Sequence, residues 1–184
     1  MSRRDDLLGL AARVLETEGL EGFGIGSLAR AAGVRPPSLY KHFEGLPDLH
    51  AALVSRSFAS FADAVSAALA ELPARAEAHD RVMAFARTYR REALANPQHY
   101  RLMTERPLDR DRLEPGAEHD AMSDLLVLFG ETPDEYHVAR AAWAWAHGLV
   151  SLEIAGRYPP GADIEAAWDV LISALSDRAA EARS

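Results

Sequence analysis

The chain has 184 residues, 48% of them hydrophobic and 26% charged, with 20 Lys and Arg against 28 Asp and Glu and a formal net charge of −8. That is enough chain to bury a substantial core. Cysteine is absent, which excludes disulfide frameworks, thiolate metal sites and cysteine nucleophiles.

No apolar run approaches the roughly 20 residues a membrane helix needs. The amino terminus, Met1-Ser2-Arg3-Arg4-Asp5-Asp6, lacks a signal peptide's apolar core, so a cytoplasmic protein is expected. In chain order, Leu7, Leu10, Ala11, Val14 and Leu15 form one helical stripe, and Gly19 marks its end. Gly22, Gly24 and Gly26 make an irregular connection to a short helix around Ser27 to Ala32. Gly33 can take the left-handed conformation that ends a helix, and Pro36 and Pro37 can open the next, which runs to about His42.

Pro47 suits the first turn of a longer helix through Leu49, Leu53, Phe58, Phe61 and Val65, stopping by Pro73. Val82, Phe85 and Tyr89 stripe another, broken at Asn96-Pro97, where Asn can cap and Pro can restart. The stretch from Thr104 to Asp120, with Pro107, Pro115, Gly116 and many charges, reads as a mobile loop. Thr132-Pro133 opens a helix through Trp143 and His147 to about Gly156, and Ile164, Trp168, Leu171, Ile172 and Leu175 stripe the last. The expectation is an all-α protein of about nine helices, with a helix-turn-helix domain over 1–46 and a second helical domain over 47–184.

The charge is unevenly spread. Residues 1 to 43 carry six basic and five acidic side chains, residues 44 to 184 fourteen and twenty-three, and no carboxylate lies between Gly22 and Phe43. That window holds Arg30, Arg35, His42 and Lys41, the single lysine of the chain, so it offers a polyanion a locally positive surface. A solvated basic face is the plainer alternative. A short helix, a Gly turn and a second short helix behind an amphipathic first helix is also the arrangement that presents a recognition helix to the major groove.

The residues Leu28-Ala29-Arg30-Ala31-Ala32-Gly33-Val34 and Ser38-Leu39-Tyr40-Lys41-His42-Phe43 resemble the DNA-binding signature of the tetracycline-repressor (TetR) family. The resemblance implies that Leu28, Ala29, Val34, Leu39 and Phe43 are core, that Gly33 is the turn, and that Ser38, Tyr40 and His42 meet the DNA backbone. Residues 95 to 103, Ala-Asn-Pro-Gln-His-Tyr-Arg-Leu-Met, and Trp143-Ala144-Trp145-Ala146-His147-Gly148 resemble a subgroup named for a Trp-His-Gly motif. Three departures remove expected phosphate contacts: Gly24 in place of a capping Thr or Ser, Gly26 in place of a frequent Arg, and Leu46 in place of a Lys.

The expected DNA-binding set is Arg30, Arg35, Pro36, Ser38, Tyr40, Lys41 and His42. Hydroxyls of Ser38 and Tyr40 would fix register on phosphates, the basic residues would neutralise phosphates or donate to guanine, and Pro36 would make apolar contact. For Tyr40 and His42 aromatic packing on a helix surface is the competing reading. The resemblance further implies a homodimer on a palindromic operator acting as a ligand-responsive repressor. Its dimer seam would draw on Ala142, Ala146, Leu149, Val150, Leu152, Trp168, Leu171, Ile172 and Leu175, some of which must face the monomer's own core.

An unknown small-molecule effector would sit among Phe61, Phe85, Tyr89, Tyr100, Met103, Trp143 and His147, although aromatic residues at helical spacing are also ordinary core. No cofactor or metal is expected. Neither Glu-x-x-His, His-Glu-x-x-His nor Gly-x-Ser-x-Gly occurs, so no enzyme is expected, and the alternative to a regulator is a helical interaction module without DNA binding.

Overall fold

The computed structural model describes residues 2–129 and 133–181. Among these residues there are nine α-helices, one short 3-10 turn and no strand. Ser2 caps α1 (Arg3–Gly22): its hydroxyl accepts from the Asp5 amide at 3.2 Å while the Asp5 carboxylate accepts from the Ser2 amide at 2.8 Å. Gly19 breaks the helix at φ +73, and the chain resumes one turn to Gly22, slightly beyond the expected end.

Helices α2 (Ile25–Ala31) and α3 (Pro36–Leu39) follow. Helix α4 (Leu46–Ala70) is the longest, and α5 (Ala78–Ala95) and α6 (Pro97–Glu105) come next. The carboxy-terminal helices are α7 (Ala117–Phe129), α8 (Pro133–Ile154) and α9 (Ile164–Glu181). Thr132, expected to open α8, lies outside the described residues.

The chain forms two compact units. The first comprises residues 1–60 and 96–118, the second 61–95 and 119–184, so the division between compact units falls inside α4. In the first unit, Leu7, Ala11, Leu15, Leu28, Leu39, Phe43, Leu49, Leu53 and Leu102 form a common core from α1 through α4 and α6. In the second, α5 packs against α8 and α9 around Val82, Phe85, Tyr89, Ala146, Val150, Trp168, Leu171 and Leu175.

Two local expectations are corrected. Asn96 occupies the N-cap position of α6 but its side chain makes no capping bond. Glu16 of α1 takes that role, accepting from the amides of Gln98 at 3.3 Å and His99 at 2.9 Å. Residues 104 to 120 are not a featureless loop: they contain a 3-10 turn over Arg110–Arg112 and the start of α7. The Glu114 amide donates to Ser55 Oγ at 3.0 Å, and Leu108 and Leu113 pack on the first unit's core.

Candidate DNA-binding interface

The recognition segment is built by three bends. Gly24 caps α2 without a side chain, and Ser27 closes the turn from within, accepting from the Gly24 amide and donating to its carbonyl, both at 2.9 Å. After α2, Gly33 sits at φ +66, where a β-carbon would be strained, and the Val34 amide returns to the Ala29 carbonyl at 3.0 Å. Arg35, extended, then leads into Pro36 and Pro37, whose missing amides cost nothing in a helix's first turn.

Helix α3 itself is four residues long, shorter than expected. Turn bonds from the His42 and Phe43 amides to the Leu39 carbonyl, both 2.9 Å, continue it to Phe43.

Leu39 and Phe43 are driven inward, together with Leu28 and Ala29, with Val34 packed partly buried beside them. That leaves Arg30, Arg35, Pro36, Ser38, Tyr40 and Lys41 exposed and His42 half-buried. Tyr40 is 56% exposed, so it is not an aromatic packed away on the helix surface. All seven of the expected DNA-binding residues thus keep at least part of their surface open to solvent.

Two contacts there escape a reading of the sequence. Arg30, in the carboxylate-free window, meets Glu18 of α1 at 3.3 Å, so its charge is partly matched. Arg4, outside that window, ties down the end of the segment. Its Nε donates to the His42 carbonyl at 3.3 Å, its guanidinium lies 5.2 Å from the Phe43 ring centroid, and Nη2 lies 3.6 Å from Asp48. Asp48 in turn accepts from the Glu44 amide at 2.9 Å. No signal in the sequence pairs residue 4 with residue 42.

Residues 7–53 match the family model described as bacterial regulatory proteins of the tetR family, and residues 82–175 that of the tetracyclin repressor-like C-terminal domain. The chain belongs to the TetR family. It is accordingly a helix-turn-helix transcriptional regulator.

It is 28% identical over 158 residues to an uncharacterized HTH-type transcriptional regulator of Mycobacterium tuberculosis, covering 83% of this chain and 71% of that one. A second such regulator, from Bacillus subtilis, is 30% identical over 90 residues, 49% of this chain and 45% of the other. Among solved structures, a possible TetR family transcriptional regulator from Streptomyces coelicolor superposes with TM-score 0.72 at 18% identity over 95% of this chain and 97% of that one. A substituted variant of TetR from Acinetobacter baumannii, in complex with minocycline, gives 0.69 at 20% identity over 100% and 99%. At these identities the likeness is one of fold.

The remaining sites expected of a TetR regulator are distributed unevenly. Phe61, Phe85 and Tyr89 form a ring cluster in the second unit, with Tyr89 5.7 Å from each of the other two. In that unit too, Trp143 stacks on His147 at 5.6 Å, though it is 38% exposed. Tyr100 and Met103 belong to the first unit, and Met103 packs on its core.

For the seam, Ala142, Ala146, Val150, Trp168, Leu171, Ile172 and Leu175 are buried within the chain itself, at 5% exposure or less. Leu149 is half-buried and Leu152 exposed. The apolar residues that do face outward on α8 and α9 include Trp145, Leu152 and Val170.

Among the described residues no helix is long and apolar enough to cross a membrane, and no cluster of side chains could hold a metal ion.

Proposed function

We propose that this TetR-family regulator is a cytoplasmic, ligand-responsive repressor that binds a palindromic operator as a homodimer through Arg30, Arg35, Pro36, Ser38, Tyr40, Lys41 and His42. The observation that carries the reading is the outward display of Arg35, Ser38, Tyr40 and Lys41 while Leu39 and Phe43 anchor the segment from behind. One such segment spans only a few base pairs, so specificity calls for two half-sites about one helical turn apart.

A small-molecule effector is supported by the ring cluster of Phe61, Phe85 and Tyr89, a set of large apolar side chains of the kind that lines ligand sites. On this reading the DNA-binding domain is residues 1–46 and the remainder senses and dimerises.

The test is binding to the intergenic DNA upstream of the protein's own gene, titrated with salt. Each neutralised phosphate contributes about 0.9 to the slope of log affinity against log salt. With Arg30 already paired to Glu18 and Gly24, Gly26 and Leu46 contributing no charge, the slope is expected to be shallow. Lys41→Ala should lower it by about one. A slope unchanged in Lys41→Ala shows that this lysine meets no phosphate, and absence of salt-sensitive binding favours the helical interaction module instead.

A further inference from the structure

The first unit contains a cavity that the reading of DNA does not use. Pro47, His50, Ala51 and Val54, spaced three and four residues apart, present one face of α4 to it. Leu102 and Arg106 face them from the end of α6, and the following chain closes the space with Pro107, Leu108, Asp109 and Leu113. The cavity, open on one side, has a volume of about 320 Å³, at the small end of organic-ligand sites. Ala51, Val54 and Leu102 are buried, whereas Pro47, Arg106, Pro107 and Asp109 stand exposed at the mouth.

The polar groups are not symmetric. Asp109 is matched by Arg112, whose Nε lies 3.1 Å from its carboxylate. Among the described residues Arg106 pairs with Glu21, at 3.0 Å and 82% exposed, a surface pair that an incoming anion can replace. His50 lies beside it. Its ring stacks on Phe23 at 5.9 Å, and among the described residues its buried Nε2 has no hydrogen-bond partner. Burial first, and the nearby Arg106 guanidinium second, push the His50 pKa down, so the uncharged ring is the stable form there.

We propose that this cavity binds a small organic carboxylate, with its apolar body against Ala51, Val54, Leu102, Leu108 and Leu113 and its carboxylate on the Arg106 guanidinium. A planar guanidinium suits a carboxylate because it can offer two parallel N–H donors. Helix α4 begins shortly after Phe43, so whatever fills this space braces the helix that directly follows the recognition segment.

The test uses the full chain without DNA, so its outcome does not depend on the DNA-binding reading. Octanoate is titrated calorimetrically beside octanol and octylamine, which share its chain but not its charge. Octanoate should bind saturably and about tenfold more tightly than octanol, the scale expected of one charge-assisted contact, with octylamine weakest. Arg106→Gln, at an exposed position, should keep its melting temperature and lose the preference for octanoate. Glu21→Gln, which releases Arg106, should tighten octanoate about two- to threefold and leave octanol unchanged.

Ala51→Phe should abolish both by filling the cavity, with Leu108→Trp as a second filler at a half-buried site should the first fail to fold. The proposal is overturned if octanoate does not bind, if octanol binds equally well, if Arg106→Gln leaves octanoate affinity unchanged, or if binding survives a folded filler variant.

Discussion

Residue 26 offers a single-position test of the proposed DNA interface. Gly26 lies in the first turn of α2, exposed, with nothing within 4 Å of where a β-carbon would stand, and its φ is not in the left-handed region. No steric demand calls for glycine there, and glycine carries an entropic cost in a helix. Gly26→Ala should therefore stabilise the protein by about 0.5 kcal/mol, read from urea unfolding. Gly26→Arg should add the phosphate contact that this position lacks, steepening the salt slope by about 0.9. An unchanged slope would place this end of α2 away from the DNA backbone.

His50 carries a pH dependence with a definite sign. Its pKa is depressed below the ordinary 6.5, so the unfolded chain takes up a proton that the folded one resists. Its contribution to stability is thus complete above pH 6.5 and is lost as the pH falls below that value towards the folded pKa. Melting temperature should decline over that window, and His50→Phe, which can keep the stack on Phe23, should remove this part of the decline. An identical decline in the variant would assign it to other groups.

At the scale of elements, α1 and α6 cap each other. Glu16 accepts from the first free amides of α6 and approaches His99 Nδ1 at 2.6 Å, while Gln98 Oε1 accepts from the Leu20 amide at 3.1 Å, just where Gly19 breaks α1. Each helix thereby satisfies backbone donors that the other leaves open. Glu16→Ala should cost about 1–2 kcal/mol by chemical denaturation, the scale of a lost helix cap plus a charge at a helix N-terminus. The Gln98 and His99 amides should also exchange faster with solvent. Exchange at the wild-type rate would mean that the Glu16 bonds do not hold the end of α6.

This pair also marks the limit of what the sequence discloses about elements. The bends around Gly33 and Pro36 are legible because a left-handed turn and a first-turn proline are local requirements of named residues. The capping of α6 is not, because Asn96-Pro97 is a complete local signal and the residue that supplies the bonds stands some eighty positions earlier. The anchoring of residues 104 to 120 is hidden likewise: proline, glycine and charge describe a loop locally, while Ser55, Leu108 and Leu113 fix it through contacts distant in sequence.

For the whole molecule, the ambiguity lies in helices that are apolar on more than one face. In α8 the residues Ala142, Ala146 and Val150 run beside Ala141, Trp145, Gly148 and Leu152, and periodicity finds both stripes without saying which one the chain buries itself. The structure assigns the first stripe to the interior, and in α9 it does the same for Trp168, Leu171, Ile172 and Leu175. The large apolar side chains that remain outward on these two helices include Trp143 at 38% exposure, Trp145 at 41%, Leu152 at 46% and Val170 at 60%, whose burial requires a second surface.

If homodimerisation uses these faces, Leu152→Glu combined with Val170→Glu should shift the protein to monomer in sedimentation velocity. Both residues are exposed within the chain, so the folded monomer should lose no more than about 0.5 kcal/mol. Such a monomer should bind an isolated half-site as the wild type does yet lose the gain from a palindrome, because linking two readers rather than strengthening either one supplies that gain. A double variant that stays dimeric and keeps its preference for the palindrome would move the seam to another face of the molecule.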